Sequence, residues 1–489
     1  MNGNRVSLPR WLLPIFGLGA FLALGGGLWD DAWHTERGRD TFFIAPHIAI
    51  YGGITLIGAG ISLWLLMAVR ALGLRAALAS PVITLAAFSV GVTLASAPVD
   101  NFWHVAFGRD AVIWSPPHVL GIVGTGSLAV AILVELAGST KPWARRAQAP
   151  VGGLILAAFA FLVVEYETDV PQFAALWYLP VLALGSGYAF AVIDRLSDQR
   201  FALLRAAGWH LGFVVLVAGF LLSQDFEPPR LPLLLVPALM LDLTKRLSVP
   251  ARSAAATAAL FSVHVPAGFI GDGVRLDISD ALIGAPLAWA ALAITLTAVS
   301  GQRPRWRRLP LPLAPATVLM LVLLISPASA LAHDPGQGPD AGTLDLRVET
   351  RDGIARLTAR TSSGEDLQPI RLIARRGGVT HRGQLLERSA GVFAGRVELG
   401  ERGRWFVYAN LRERDGDLVE AWLPVDGSGT QTVSEPHRFT YVVEPEGASS
   451  VQWIAGLALY GLVIGFLGAV TLLVRRVGSG GRTEVANPR

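Results

Sequence analysis

Apolar residues run through this chain in long blocks, and those blocks set its architecture. Windows of about twenty apolar residues with few charges have the length a helix needs to cross the hydrocarbon core of a bilayer. Eleven such spans are predicted before residue 333, at 8–30, 46–69, 80–101, 117–137, 149–167, 173–194, 202–223, 231–247, 253–271, 280–300 and 309–332, and a twelfth at 451–474. After Ala332 the period changes. Residues 333–449 carry short alternating runs, such as those starting at Thr343, Ala355, Arg371 and Arg404, divided by Gly, Asp and Ser. That is the period of strands, and so many short strands predict a small antiparallel sandwich. The expected fold is a mainly α polytopic membrane protein of about twelve transmembrane helices with an inserted extracytoplasmic antiparallel β-sandwich. Four units follow: a four-helix unit over 1–140, further transmembrane helices over 141–332, the sandwich over 333–449, and a C-terminal anchor and tail over 450–489.

Composition agrees with this: 52% of the 489 residues are hydrophobic and 16% charged. Lys and Arg in short loops are retained on the cytoplasmic side. Arg5 and Arg10 precede the first span, and alternate connections carry Arg70/Arg75, Lys141/Arg145/Arg146, Arg195/Arg200/Arg205, Lys245/Arg246/Arg252, Arg303–Arg308 and Arg475/Arg476/Arg482. This places both termini in the cytoplasm of a bacterial inner membrane and the β domain in the periplasm. The pI near 9.7 therefore reflects topology determinants rather than a nucleic-acid-binding stripe. The chain has no cysteine, which excludes disulfides, thiolate metal sites and iron–sulfur clusters. The first span lacks a small-residue cleavage site and reads as a retained anchor. Span eleven ends Ser326-Pro-Ala-Ser-Ala-Leu-Ala332 before His333, which resembles a signal-peptide cleavage site. Cleavage there would make His333 an N-terminal copper chelator; an uncleaved helix followed by a chance histidine is the other reading.

Two polar stretches at the outer ends of spans repeat one another. Asp30-Asp31-Ala-Trp33-His34, Gly38-Arg39-Asp40 and Pro46-His47 recur as Asp100-Asn101-Phe-Trp103-His104, Gly108-Arg109-Asp110 and Pro117-His118. In each copy the Asp and first His are four residues apart, one helical turn along a shared face. The second His follows a Pro that opens the next span. Two matched sets of one carboxylate and two imidazoles suit Cu(II), Zn(II) or Fe(II) and leave positions open for water, dioxygen or substrate. Asp30, His34, His47, Asp100, His104 and His118 are the candidate metal ligands, with Asp31 and Asn101 as alternatives to Asp30 and Asp100. Asp40 and Asp110 could orient ligand imidazoles, with Arg39 and Arg109 as counter-charges; a solvated turn with a local ion pair is the plainer reading. Trp33, Trp103 and Trp114 could wall the sites, although tryptophan is also common at membrane interfaces.

These motifs resemble the C subunit of the particulate methane and ammonia monooxygenases. Asp30-x3-His34-x12-His47, with Arg39-Asp40-Thr41 and Pro46-His47-Ile48 inside it, looks like that family's first copper set. Asp100-x3-His104-x13-His118 looks like the second, with Asp100 where the family has Asn. The resemblance covers about residues 25–125. It implies copper as cofactor, an oxidoreductase that activates dioxygen to hydroxylate a small apolar substrate, and companion monooxygenase subunits or a periplasmic copper donor as partners. The β domain's Gly391–Val397 and Gly403–Val407 resemble small periplasmic copper-handling sandwiches of the CopC and YtkA/FixH type. A non-catalytic protein for copper uptake, storage or export is the competing function, and a zinc-stabilised membrane subunit a third. The remaining histidines are expected to do less: His210 and His264 as packing residues rather than a haem pair, His381 and His437 as surface residues or partners of His333. Glu165, Glu167 and Asp169 read as an acidic outer turn or a cation funnel, and Asp242 as paired with Lys245 or Arg246.

Overall fold

The computed structural model describes residues 6–37, 43–107, 113–171, 173–270, 273–301, 340–361, 367–376, 379–400, 403–413, 416–427, 430–441 and 449–483. Among them, ten helices are long and apolar enough to cross a membrane. They comprise α1 (Leu12–Glu36), α2 (Ala45–Leu72), α4 (Pro81–Phe107), α5 (Pro116–Ala137), α6 (Pro142–Ala160) running on into α7 (Val164–Glu167), α8 (Tyr178–Leu196), α9 (Ala202–Ser223), α11 (Val249–Ile270), α12 (Ile278–Ser300) and α13 (Ser449–Thr483). The short α3 (Leu74–Leu78) and α10 (Leu235–Leu243) complete the helical body. The span expected at 309–332 lies outside the described residues.

The prediction at 231–247 is corrected. Only nine residues, Leu235–Leu243, are helical there, and residues 226–234 before them are neither helix nor strand. Pro228, Pro229 and Pro232 explain this, because proline supplies no N–H and drives the preceding residue out of helical geometry. The segment nevertheless runs the length of the bundle. Arg230 meets Asp169 at one end, whereas Asp242 accepts from the Leu204 N–H and pairs with Lys245 at the other. An irregular backbone packed among apolar helices is tolerable only where protein partners satisfy it. Accordingly, Arg230 N–H donates to Glu167 C=O at 2.8 Å and Leu233 N–H to His264 Nε2 at 3.2 Å.

Glycines bring the first two hairpins together. A Cβ on Gly53 would lie 2.4 Å from Gly19 O, and one on Gly124 2.5 Å from Thr93 Oγ1, so α1 meets α2 and α4 meets α5 through small residues. Basic loops gather at one end of the bundle, where Lys245 pairs with Asp194 at 3.1 Å and Arg252 with Asp194 at 2.8 Å. Asp30, Asp100 and Asp169 lie at the other.

The β domain has strands β1 (Asp340–Arg351), β2 (Ile354–Thr361), β3 (Leu367–Arg376), β4 (Val379–Ser389), β5 (Val392–Glu398), β6 (Arg404–Glu413), β7 (Leu418–Asp426) and β8 (Gln431–Tyr441). They form one antiparallel sheet closed in the order β1-β2-β5-β4-β3-β6-β7-β8, with β8 back on β1. The expected sandwich of two separate sheets is therefore a closed barrel. The long β1 has a partner along each edge, Leu346 facing Ala359 on β2 and Glu435 on β8, so no free edge remains. Leu346, Leu357, Phe393, Trp405 and Val407 fill the interior. The outer face of β3, β6 and β7 is also covered: Ile373, Phe406, Tyr408 and Trp422 pack on Val170 of the helical body.

Candidate metal centre

Helix α1 carries Asp30 and His34 on its last turns, and α2 starts at Ala45 with Pro46 and His47 in its first turn. Their polar atoms meet. Asp30 Oδ1 lies 3.2 Å from His47 Nε2 and Asp30 Oδ2 lies 3.6 Å from His34 Nδ1. All three side chains are mostly buried, with 14–20% exposed. In the second hairpin Asp100 Oδ1 lies 3.2 Å from His118 Nε2. His104 follows Asp100 by one turn of α4, and its side chain is outside the described set. Asp30 also interacts electrostatically with His118, so the two hairpins present their polar ends to one region.

Two donors bound to one ion at about 2.1 Å and 90–110° apart sit about 3.0–3.4 Å from each other. The 3.2 Å and 3.6 Å separations are close to that spacing, and carboxylate with imidazole is a donor set for copper, zinc or iron. As they stand, His34 and His47 address different oxygens of Asp30, so the carboxylate bridges the rings. Among the described residues, no group of three or more His, Asp or Glu side chains is gathered as a ready metal cage.

Asp31 interacts with Thr168 through a side-chain hydrogen bond and with His34 electrostatically. Trp114 is buried and donates from Nε1 to Leu162 C=O at 3.0 Å, fixing the turn before Pro116 to the end of α6. Trp103 is buried against Phe107, and Trp33 packs beneath the Arg37 guanidinium beside Phe226; all three tryptophans are protein-packed. The acidic turn is no open funnel: Glu165 and Glu167 are buried. Glu165 Oε1 accepts from Ile113 N–H at 2.7 Å. Asp169, at φ +61°, receives Arg376 Nη2 at 3.0 Å and the Arg404 N–H at 3.1 Å.

Arg39, Asp40, Arg109, Asp110 and His333 lie outside the described residues. His264 spends both ring nitrogens on backbone: Nε2 accepts from Leu233, so Nδ1 carries the proton given to Leu260 C=O at 3.0 Å. That leaves nothing with which to ligate a haem. His210 is buried in α9, with no hydrogen-bond partner at either nitrogen among the described residues. His381 Nδ1 bonds Glu398 C=O at 2.7 Å, and the side chain of His437 is outside the described set. Asp242 does pair with Lys245, at 2.9 Å.

Fold and site together define a multi-pass helical architecture joined to a closed β-barrel, with two Asp/His hairpins near the barrel end. No family model, no curated protein and no solved structure matches the chain.

Proposed function

We propose that this chain is a copper-binding inner-membrane protein, with Asp30, His34 and His47 as one ligand set and Asp100, His104 and His118 as the other. The observation that carries the reading is the Asp30 carboxylate held between two imidazoles at 3.2 and 3.6 Å, with the Asp100–His118 pair repeating the contact at 3.2 Å in the neighbouring hairpin. Ionisable residues in membrane-spanning segments are costly and rare, so convergent Asp and His at a helix end point to function rather than packing. Copper bound there would supply one-electron redox chemistry, and in this reading the chain hydroxylates a small apolar substrate with dioxygen as the oxidant and an external reductant.

The rim supports an apolar substrate arriving from lipid. Phe43 and Ile48 border the first set and Phe102 the second, with exposures of 78%, 58% and 77%. In this reading the chain's own residues divide the work. Asp30 and Asp100 orient the imidazoles, His47 and His118 are held in position by the prolines that open their helices, and buried Trp114 excludes water from one flank. The basic ends of the helices face the cytoplasm, the barrel lies in the periplasm, and companion subunits or a periplasmic copper donor complete the system.

The test is metal content of the detergent-purified protein and of His47→Ala, His118→Ala and the double variant. The reading expects copper in the wild type, a loss from each single variant, and near absence from the double variant with its helicity intact. Unchanged copper in the double variant, or zinc in its place, refutes it. Reductant- and dioxygen-dependent hydroxylation of short alkanes then separates a catalyst from a protein that only alters cellular copper.

A further inference from the structure

The barrel has two outer sides. The side made by β3, β6 and β7 is used up against the helical body. The other, made by β1, β2, β5 and β4, bounds an open cleft of roughly 1710 Å³, and six arginines line it: Arg347, Arg356, Arg360, Arg382, Arg388 and Arg396. Asp345, Glu349 and Glu398 are the acidic residues of the same lining, so arginines outnumber carboxylates two to one. Glu349 is engaged by Arg347 at 2.7 Å. Among the described residues, Arg356, Arg382 and Arg396 have no carboxylate within ion-pair distance.

Strand register sharpens this. Arg356 on β2 stands directly opposite Arg396 on β5. Like charges directly opposite each other destabilise a sheet, and any carboxylate on β5 at that position would have relieved the repulsion. Arg396 has Gln384, not an acid, on its other side. Arg356 has Glu349 on its other side, on β1, a carboxylate already engaged by Arg347 at 2.7 Å, so the facing guanidinium pair is only partly relieved, an arrangement that an anionic partner would neutralise.

The size and mixture of the cleft select the class of partner. It exceeds the ~300–1,000 Å³ of small-molecule sites. Its three carboxylates would repel a uniform polyanion. Exposed Leu386, 46% accessible, lies within the basic field, and arginine around an apolar contact is a composition common to protein interfaces. The face also points away from the helices, since the opposite side of the barrel is the docked one, which removes it from the bilayer of its own body. We propose that the β1-β2-β5-β4 face is a docking surface for an acidic protein segment in the aqueous compartment that holds the barrel. This inference is independent of any metal at the hairpins.

The test uses the full-length protein in nanodiscs of zwitterionic lipid and a fluorescent twelve-residue peptide of alternating Glu and Leu, followed by anisotropy. Dextran sulfate fragments and phosphatidylglycerol vesicles serve as the alternative anions. The variants are Arg356→Glu/Arg396→Glu on the face and, as a control elsewhere on the barrel, Arg371→Glu/Arg412→Glu. Expected are saturable peptide binding that weakens at least tenfold in the face variant, little change in the control, and partial loss between 50 and 300 mM salt. Thermal melting shows whether each variant stays folded, and Arg356→Gln/Arg396→Gln, with an intermediate loss, replaces the charge reversal if that variant unfolds. Equal weakening in face and control variants overturns the proposal, as does tighter binding of dextran sulfate or vesicles than of the peptide.

Discussion

Two adjacent glycines in α2 should respond oppositely to the same substitution. A Cβ on Gly53 would stand 2.4 Å from Gly19 O, 2.6 Å from Ala23 N and 2.9 Å from Leu22 Cβ, whereas one on Gly52 meets nothing within 4 Å. The atoms around Gly53 are mostly backbone of α1 and cannot rotate away. Restoring a carbon–oxygen separation of about 3.3 Å requires the helices to part by about 0.9 Å. Overpacking of this kind costs ~1–3 kcal/mol, against ~0.5–1 kcal/mol gained by alanine over glycine in a helix. Gly53→Ala should therefore be destabilised and Gly52→Ala unchanged or slightly stabilised, leaving the pair separated by about 1–3 kcal/mol. His47 lies six residues, about 9 Å, along the same helix, so the shift should also widen the Asp30–His47 contact of 3.2 Å. Reversible unfolding in mixed detergent, followed by far-UV circular dichroism, measures the stability, and copper content measures the spread of the site. Indistinguishable unfolding midpoints for the two variants would refute the glycine-mediated crossing.

Asp169→Asn keeps a side chain that tolerates φ +61° but removes the charge held by Arg376 and Arg230. Because removing one member of a buried charge cluster is costly, the seat of the barrel on the bundle should loosen although its apolar contact with Val170 remains, seen as faster proteolysis between them, with barrel melting unaltered. His264→Ala removes the acceptor for Leu233 N–H, at a cost of ~1–3 kcal/mol for a stranded buried donor; stability equal to wild type in a lipid bilayer would count against the satisfied irregular segment. Burial is the largest single influence on Lys245 and lowers its pKa, but Asp194 and Asp242 together outweigh it and leave it raised above 10.5. The stabilisation it provides is complete below pH about 10.5 and disappears as pH climbs through the raised value. Lys245→Met should thus flatten the alkaline limb of the stability profile and leave no new slope at pH 6–9.

Hydrophobic periodicity made ten helices legible because each is an apolar run bounded by Gly, Pro or charge. It failed at 231–247, where only Leu235–Leu243 of the apolar run is helical: hydropathy reports burial and Pro228, Pro229 and Pro232 report the backbone, and the second signal overrides the first. Strand alternation located the β domain, but closure depends on β1 pairing with a strand some ninety residues away, which no local pattern encodes. The docked side was nevertheless written in the chain. Trp405 through Leu411 are buried on both faces, and that apolar continuity, with only Asn410 interrupting, marks a strand covered twice. In the candidate site, duplication identified Asp30, His34, His47, Asp100 and His118 as neighbours. Sequence reading named Glu165 as part of an acidic turn and Trp114 as a wall of the sites, but it did not reveal Thr168 or the distant partners Ile113 and Leu162 that those two hold.

The turn from Glu165 to Val170 connects everything at the barrel end. Glu165 holds the backbone of Ile113, five residues before His118. Thr168 reaches Asp31, next to Asp30. Glu167 C=O receives Arg230 N–H from the irregular segment before Leu235, while Asp169 and Val170 carry the barrel. These contacts belong to one short segment whose own backbone is closed by Val170 N–H to Glu165 C=O at 2.8 Å. The seat of the barrel and the supports of both hairpins therefore meet in a single turn through direct contacts.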